Sequence, residues 1–172
     1  MQQKQKYLLL MEDNETDAFI IEVIMRQEPS WLDIVKFNNG LEGLDFLGNT
    51  DISENAPILI LLDPNMPICD GFSLMESYDE NLYAKFPSVP IYVLTSSLLP
   101  EDTERSLVYP FVKDFIVKPL DKQIVKSIIK SRIMSHYVTT LEMTFYANQG
   151  YPDLNQCANQ IAYQAYCPKY NI

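Results

Sequence analysis

Five side chains that could share one chemical task follow directly after four short apolar segments of the 172-residue chain. They are two adjacent acids, a third acid, one hydroxyl and one ammonium: Glu12, Asp13, Asp63, Thr95 and Lys118. In an open parallel sheet, the carboxyl ends of the strands lie along one edge, and ligands bind there. If the apolar segments are strands of such a sheet, the five side chains converge.

Carboxylates gathered at one edge require a cation or a proton. Two carboxylates about 4 Å apart repel each other by ~4 kcal/mol at an effective dielectric constant of roughly 20, and Lys118 offsets only part of that repulsion. A hard divalent ion bound by one or two carboxylates, waters and phosphate oxygens fits such a site, and Mg²⁺ fits it best. Asp63 could then attack phosphorus as a nucleophile, while Lys118 and Thr95 interact with phosphoryl oxygens.

The segments that would position these residues alternate between apolar runs and helical patterns. Asp63 ends five consecutive Ile and Leu residues at 58–62, which indicates a strand buried on both faces, although a short apolar run could also be a buried helix. The prolines and the Asp70-Gly71 pair that follow mark its end. The predicted strands are 7–11, 32–37, 58–62, 91–94 and 111–117. The predicted helices are 14–27, 39–47, 72–81, 100–109 and 121–136.

Five strand-then-helix units predict an α/β fold, a doubly wound parallel sheet of five strands with helices on both faces. Asn14 is the predicted N-cap of the first helix, and Asp17 three residues later gives a pattern similar to a capping box. Apolar residues recur at helical spacing in three of the predicted helices. The residues concerned are Phe19, Ile20, Val23 and Ile24 in the first helix, Leu41, Leu44 and Leu47 in the second, and Ile124, Val125, Ile128, Ile129 and Ile133 in the last.

Charge and composition exclude several classes of protein. The formal net charge of -10 opposes contact with a nucleic-acid backbone, so direct DNA binding is not expected. The chain lacks an apolar stretch as long as a membrane span and a long apolar segment near its start, which predicts a cytoplasmic protein without a membrane segment. The cysteines form no metal-binding pattern. Reduced thiols are expected, with a disulfide between Cys157 and Cys167 as the alternative.

The sequence changes character near residue 136. Residues 137–172 contain six tyrosines and three charged side chains, Glu142, Asp153 and Lys169. We therefore expect one domain over 1–136 and a C-terminal extension over 137–172. The extension is either a packed appendage or an element for partner docking or homodimer formation. With one basic residue, it does not have the composition of a DNA-binding element.

Residues 6 to about 136 resemble the receiver domain of two-component response regulators, the CheY-like family. The matching positions are the acidic pair, the phosphoacceptor motif D-x-x-M-P-x-x-D-G, the switch hydroxyl, the switch aromatic and the Lys-Pro pair, found at Glu12-Asp13, 63–71, Thr95, Phe115 and Lys118-Pro119. The chain departs from the family at Phe111-Val112, where members commonly have Gly-Ala. This departure leaves the length and mobility of the fourth helix open.

The resemblance implies a flavodoxin-like strand order of 2-1-3-4-5 and a function in a phosphorelay. Asp63 would receive a phosphoryl group from a sensor histidine kinase or a phosphotransfer protein. Asp13, Asp63 and the backbone carbonyl of Asn65 would bind Mg²⁺, with Glu12 assisting.

The resemblance also implies a single-domain response regulator, which is a phosphoacceptor signalling domain and not an enzyme, although it could catalyse its own phosphorylation and dephosphorylation. Thr95 and Phe115 would form the switch. Their movement would change the surface made by the fourth helix, the fifth strand and the fifth helix, where a downstream protein target binds.

Two other functions fit parts of the sequence. A degenerate receiver would act only as a binding module without phosphate or metal, but Asp63, Thr95 and Lys118 are all present. A flavodoxin-like cofactor protein or a phosphohydrolase would share the architecture. Against these, Asp63-Pro64-Asn65 lacks the second acid two positions on that haloacid-type phosphatases have, and the sequence has no Gly-rich phosphate loop.

Overall fold

Five parallel strands form one sheet in the computed structural model. The strands are β1 (Lys6–Met11), β2 (Leu32–Phe37), β3 (Ile60–Leu62), β4 (Ile91–Thr95) and β5 (Val112–Val117). Their order in the sheet is β2-β1-β3-β4-β5, and every neighbouring pair is parallel. The predicted doubly wound fold and its 2-1-3-4-5 order are confirmed. The order changes direction at β1 and β3, which opens a crevice at their carboxyl ends.

A helix follows each strand. The helices are α1 (Glu15–Met25), α2 (Gly40–Asn49), α3 (Gly71–Asn81), α4 (Pro100–Leu107) and α5 (122–132). Side-chain oxygens accept from the first backbone N–H groups of four of these helices, and the capping residues are Asn14, Asn39, Asp70 and Asp121. Such caps satisfy donors that have no partner inside the helix, so the sequence itself fixes where these helices begin.

The structure describes residues 6–26, 32–51, 56–96 and 100–132. The chain divides into two compact units, 1–129 and 130–172, and only residues 130–132 of the second unit are described. The predicted end of α5 at His136, the extension over 137–172 and the pair Cys157 and Cys167 lie outside the described residues. None of the described helices is long and apolar enough to cross a membrane.

The central strands β1, β3 and β4 are buried on both faces of the sheet. Leu9 of β1 belongs to a core cluster that also contains Leu47 of α2 and Leu74 of α3. The adjacent strand residues Leu8 and Leu10 are equally buried and point to the opposite face, because side chains alternate along a strand. Burial on both faces explains why these strands are continuous apolar runs in the sequence.

The apolar residues whose spacing predicts the helices are only partly buried. Phe19 of α1 is 56% exposed, and Val23, Leu41 of α2 and Ile124 of α5 are exposed as well. In α1, the buried residues recur every three or four positions along a stripe that excludes Phe19 and Val23. These two side chains therefore point away from the sheet. Those buried residues are Ala18, Ile21, Ile24 and Met25.

Phe111 lies in a cluster of aromatic rings at the turn from α4 into β5. It is 2% exposed, and its ring centroid lies 4.8 Å from that of Tyr78, 5.3 Å from that of Tyr83 and 5.2 Å from that of Tyr109. These contacts pack the turn against the end of α3. The departure from the family pattern at this position therefore places a large ring in the core. The length of the fourth helix, which the sequence left open, is eight residues.

The C-terminus of α2 is stabilised by a residue that is distant in the sequence. Within its described residues, the last turn of α2 has no basic side chain. Lys85, which follows α3, donates from Nζ to the backbone carbonyl of Leu47 at 3.1 Å and to that of Gly48 at 2.7 Å. The ammonium adds a donor to these two carbonyls, of which that of Leu47 also accepts from the N–H of Thr50 at 3.2 Å, and it interacts favourably with the negative end of the helix dipole.

Candidate functional site

The carboxyl ends of β1 and β3 bring three of the predicted acids together. One carboxylate oxygen each from Glu12, Asp13 and Asp63 lies within 4.8 Å of the other two. Glu12 and Asp63 are buried, whereas Asp13 is exposed. We call these three residues the acid cluster. It is enclosed by protein on one side and open to solvent on the other.

Asp63 is held in place by the backbone around it. Its N–H donates to the carbonyl of Met11 at 2.9 Å, which continues the pairing of β1 with β3 by one residue. Its Oδ1 accepts from the N–H of Asn65 at 2.7 Å. The loop that follows is tightly packed, since a Cβ atom at Gly71 would lie 2.6 Å from Cα of Pro64. The glycine of the motif is thus required by close backbone contact.

The loop between β3 and α3 contains a residue with an unfavourable backbone conformation. Ile68 has a φ of 69°, and the N–H of Cys69 donates to the carbonyl of Pro67 at 2.8 Å, which gives a γ-turn. This region of φ is rare for a β-branched residue. The carbonyl of Cys69 accepts from the N–H of Gly40 at 3.2 Å, so the start of α2 supports the turn.

The second acid of the phosphoacceptor motif has a structural role. Asp70 is the N-cap of α3, and its Oδ1 accepts from the N–H of Ser73 at 2.8 Å. Among the described residues, Asp70 is not part of the acid cluster. It fixes the start of α3, and therefore the length of the loop that carries Asp63.

Lys118 reaches the acid cluster from the end of β5. Its backbone N–H donates to the carbonyl of Thr95 at 2.8 Å, which joins the ends of β4 and β5. Its Nζ donates to Oδ2 of Asp63 and lies 2.8 Å from Oε2 of Glu12. Oδ2 of Asp17, in the first turn of α1, lies 2.9 Å from the same Nζ atom. Three carboxylates therefore surround one ammonium.

The predicted capping box at the start of α1 is wrong in its second half. Oδ1 of Asn14 accepts from the N–H groups of Thr16 at 2.9 Å and Asp17 at 3.2 Å, as an N-cap does. The N–H of Asn14, however, donates to Oε1 of Glu12 at 3.1 Å, and the Asp17 carboxylate contacts Lys118. Sequence reasoning did not identify Asp17 as a site residue. No signal in the sequence separates Asp17 from an ordinary acid in the first turn of a helix.

Burial and charge determine the protonation of the site. Burial raises the pKa of Glu12 to about 7; the close Lys118 ammonium opposes this shift, and the charge of Asp63 adds to it. Burial alone would lower the pKa of Lys118, but its contacts with Asp63, Glu12 and Asp17 outweigh it and raise that pKa above its ordinary range. Lys118 is therefore a permanent cation, and the acids around it outnumber it.

The acid cluster fits a hard divalent cation. Oε2 of Glu12 is buried and has no aligned hydrogen-bond donor among the described residues, although the Lys118 ammonium is close enough for an ion pair. Oxygen atoms of three acids within 4.8 Å of one another can share one ion, and the exposed side at Asp13 leaves room for its waters. Asn65 adjoins the cluster through the hydrogen bond of its N–H to Asp63.

The two predicted switch residues lie on β4 and β5. Thr95 is buried at the end of β4, and its carbonyl is bound by the N–H of Lys118, which places it beside the lysine at the carboxyl edge. Phe115 is paired with Val93 in the register of the sheet. Its ring is only partly buried and packs against the core cluster.

A family model described as the response regulator receiver domain matches residues 8–130. The chain belongs to this family. Receiver domains are phosphoacceptor signalling domains rather than enzymes in the usual sense, and the resemblance noted in the sequence is confirmed. Five of the residues that carried the resemblance lie at the carboxyl edge of the sheet: Glu12, Asp13, Asp63, Thr95 and Lys118.

Relatives of this receiver include both long and short proteins. The sensor histidine kinase CheAY of Helicobacter pylori is 30% identical over 126 residues, which cover 73% of this chain but only 15% of the kinase. Response regulator Rcp1 of Synechocystis is 30% identical over 103 residues, which cover 59% of this chain and 69% of Rcp1.

Solved structures of receivers share the fold. The phosphorylated cyanobacterial phytochrome response regulator RcpA has a TM-score of 0.66 at 26% identity, over 76% of this chain and 96% of RcpA. The Mn²⁺-bound form of response regulator Rcp1 has a TM-score of 0.61 at 25% identity, over 72% of this chain and 91% of that structure.

Proposed function

We propose that this receiver is a single-domain response regulator of a two-component system, with the receiver domain over 1–136 and an extension over 137–172. Asp63 accepts a phosphoryl group from a sensor histidine kinase or a phosphotransfer protein in a Mg²⁺-dependent phosphorelay. The phosphorylated protein then binds a downstream protein target in the cytoplasm. The observation that carries the proposal is the hydrogen bond from Lys118 to Asp63 inside a cluster of acids.

The proposed transfer replaces one bond to phosphorus with another. An oxygen of Asp63 attacks the phosphorus of a phosphohistidine, the P–O bond forms, and the P–N bond breaks with its electron pair going to the imidazole nitrogen. The product is an acyl phosphate. Phosphoryl transfer depends mainly on orientation and charge. The support for Asp63 is that Asn65 fixes its Oδ1 and Lys118 fixes its Oδ2.

Lys118 and Thr95 are the proposed catalytic partners of Asp63. The Lys118 ammonium transfers its hydrogen bond from Oδ2 of Asp63 to a phosphoryl oxygen, which offsets negative charge where it develops. Its raised pKa supports this role, because the side chain stays charged. The hydroxyl of Thr95 donates to a second phosphoryl oxygen, and its burial beside Lys118 supports that assignment.

The proposed ligands of Mg²⁺ are Asp13, Asp63 and the backbone carbonyl of Asn65, with Glu12 assisting. When bound, the ion supplies positive charge to the phosphoryl oxygens. The closeness of the acids supports this set. Rcp1, a relative, has a Mn²⁺-bound form.

Thr95 and Phe115 are the proposed switch. Once Asp63 is phosphorylated, Thr95 moves toward the phosphoryl group and Phe115 turns inward, which changes the surface of α4, β5 and α5. Phe115 is only partly buried, so an inward turn would remove more of its ring from solvent. Exposed apolar residues on or next to these elements, among them Val108 and Val117, support a protein target for this surface.

Intact mass after incubation with acetyl phosphate and Mg²⁺ tests the proposal. A gain of about 80 Da is expected, which is the mass of one phosphoryl group carried as an acyl phosphate. Asp63→Asn and a metal-free sample serve as controls, and both should stay at the starting mass.

Persistent absence of the adduct, also with phosphorylated histidine proteins as donors, would contradict the proposal. That result would instead favour a receiver that acts as a binding module without phosphate.

A further inference from the structure

Asp17 is an acid of the site that does not follow a strand. It lies in the first turn of α1, one helical turn after Asp13, and its side chain is 20% exposed. Its Oδ2 is 2.9 Å from Nζ of Lys118, and it contributes to the raised pKa of that lysine. The acid cluster described above does not include it.

Lys118 has as many acidic partners as its ammonium has N–H groups. An ammonium has three N–H groups, and Nζ lies within contact distance of Asp63, Glu12 and Asp17. A lysine side chain is flexible, so one partner does not fix the orientation of its ammonium. Two of the three partners, Glu12 and Asp63, directly follow strands, and the third, Asp17, lies in α1.

We propose that Asp17 is a positioning residue for phosphoryl transfer. It holds the ammonium of Lys118 so that one N–H stays directed at Asp63, where a phosphoryl oxygen must be neutralised. Asp17 acts through Lys118 and does not touch the reacting atoms. The consequence for transfer rests on the proposed function, whereas the contact between Asp17 and Lys118 can be tested without it.

Asp17 has two effects that kinetics can separate. As a hydrogen-bond acceptor it orients Lys118, which affects the rate at saturating phosphodonor. As a negative charge it opposes the approach of an anionic donor, which affects the donor concentration at half-maximal rate. Glu15 provides a matched control, because it is an exposed acid in the same turn of α1.

The first experiment measures phosphorylation of the full chain by acetyl phosphate at saturating Mg²⁺. An Asp63 oxygen attacks phosphorus and acetate leaves with the bonding electrons, so atoms and charge balance. Asp17→Ala should lower the maximal rate by about tenfold, and Asp17→Asn, which keeps an acceptor oxygen, should recover most of that loss. Both should lower the half-saturating donor concentration. Equal maximal rates for wild type, Asp17→Ala and Glu15→Ala would overturn the proposal.

The second experiment uses no metal and no phosphodonor. In EDTA, Asp17→Asn should lower the urea midpoint of the wild type, because it weakens the contact with Lys118. In a Lys118→Met background the same change should raise the midpoint, because Asp17 then only repels the other acids. Glu15→Gln should cause the same small shift in both backgrounds. A shift of the same sign for Asp17→Asn in both backgrounds would contradict the contact.

The two experiments distinguish the two proposals. If the wild type takes no phosphoryl group from any donor, the proposed function fails, while the urea midpoints still decide whether Asp17 holds Lys118. If the wild type is phosphorylated and the Asp17 variants behave like the Glu15 variants, only the positioning role fails.

Discussion

Glu12 is a buried acid whose protonation differs between the folded and unfolded chain. Burial raises its pKa from 4.5 to about 7, so the folded state binds a proton more readily than the unfolded state between these values. The stability that this protonation contributes is complete below pH 4.5 and is lost as the pH rises through about 7. The metal-free protein should therefore become less stable as the pH rises through this window.

Glu12→Gln should remove this part of the pH dependence. In EDTA, the free energy of unfolding of the wild type should fall by up to about 3 kcal/mol through this residue as the pH rises, and the variant should lack that decrease. Urea unfolding at several pH values measures the difference. Glu15→Gln, at an exposed acid, should follow the wild type, and parallel curves for wild type and Glu12→Gln would contradict the prediction.

Ile68 offers a test of backbone strain at a single residue. Its side chain is 82% exposed, so replacing it removes little buried apolar area. The positive φ of this γ-turn costs a non-glycine residue about 1–2 kcal/mol, and glycine adds about 0.5–1 kcal/mol of chain entropy, so Ile68→Gly should stabilise the fold by roughly 0.5–1 kcal/mol.

Ile124→Gly is the matched control for Ile68→Gly. It also changes an exposed isoleucine to glycine, but in a helix, and should destabilise the protein by about 0.5–1 kcal/mol. Urea unfolding of both variants measures the shifts. A loss of stability in Ile68→Gly would show that position 68 is not strained.

The acids that follow strands could be predicted from the sequence, and Asp17 could not. Glu12, Asp13 and Asp63 each come after an apolar run, and parallel strands end at one edge, so their meeting follows from the fold. An acid in the first turn of a helix has an ordinary explanation in capping and the helix dipole. Only the contact of Asp17 with Lys118, which is remote in sequence, shows its different role.

At the scale of the elements, strands and helix starts were more predictable than helix faces. The central strands β1, β3 and β4 are buried on both sides, so their apolar runs need no choice of face. Each capped helix begins beside a side chain that accepts its first N–H groups. In α1, apolar residues occur on two sides of the helix. Periodicity then identifies a helix but does not decide whether Phe19 or Ile21 faces the sheet, which depends on how the helix packs.

The surroundings of two glycines, one at the start of α3 and one in α2, predict opposite effects for a Gly→Ala change. Gly71→Ala should destabilise the protein by about 1–3 kcal/mol, because the new Cβ would lie 2.6 Å from the backbone of Pro64. Gly48→Ala should stabilise it by about 0.5–1 kcal/mol, because nothing lies within 4 Å of the added Cβ in α2. Thermal unfolding of the two variants checks the signs. Similar shifts for both would contradict the close contact at Gly71.

At the scale of the whole molecule, metal binding should be coupled to folding. The acid cluster joins residues that lie 50 positions apart, Asp13 and Asp63, so the unfolded chain does not contain it. A ligand that binds only the folded state adds about 1.4 kcal/mol for each tenfold increase in its concentration above the dissociation constant. Added Mg²⁺ should therefore raise the melting temperature of the wild type progressively.

Asp13→Asn should reduce this response to Mg²⁺ strongly, because it removes a carboxylate from the cluster. Asp70→Asn is the matched control, since Asp70 caps α3 and the variant keeps an acceptor oxygen. Calorimetry of the three proteins across a Mg²⁺ titration measures the effect. Equal responses for wild type and Asp13→Asn would argue against the cluster as the metal site.

The two hydrogen bonds of Lys85 have a consequence for how the molecule opens. The end of α2 depends on a residue that is in place only when α3 and the turn after it are folded. The two helices should therefore share one opening reaction, and amide protons of α2 should exchange with deuterium no more slowly than those of α3. A contact between residues 38 positions apart in sequence thus makes the protection of α2 from solvent depend on the folding of α3.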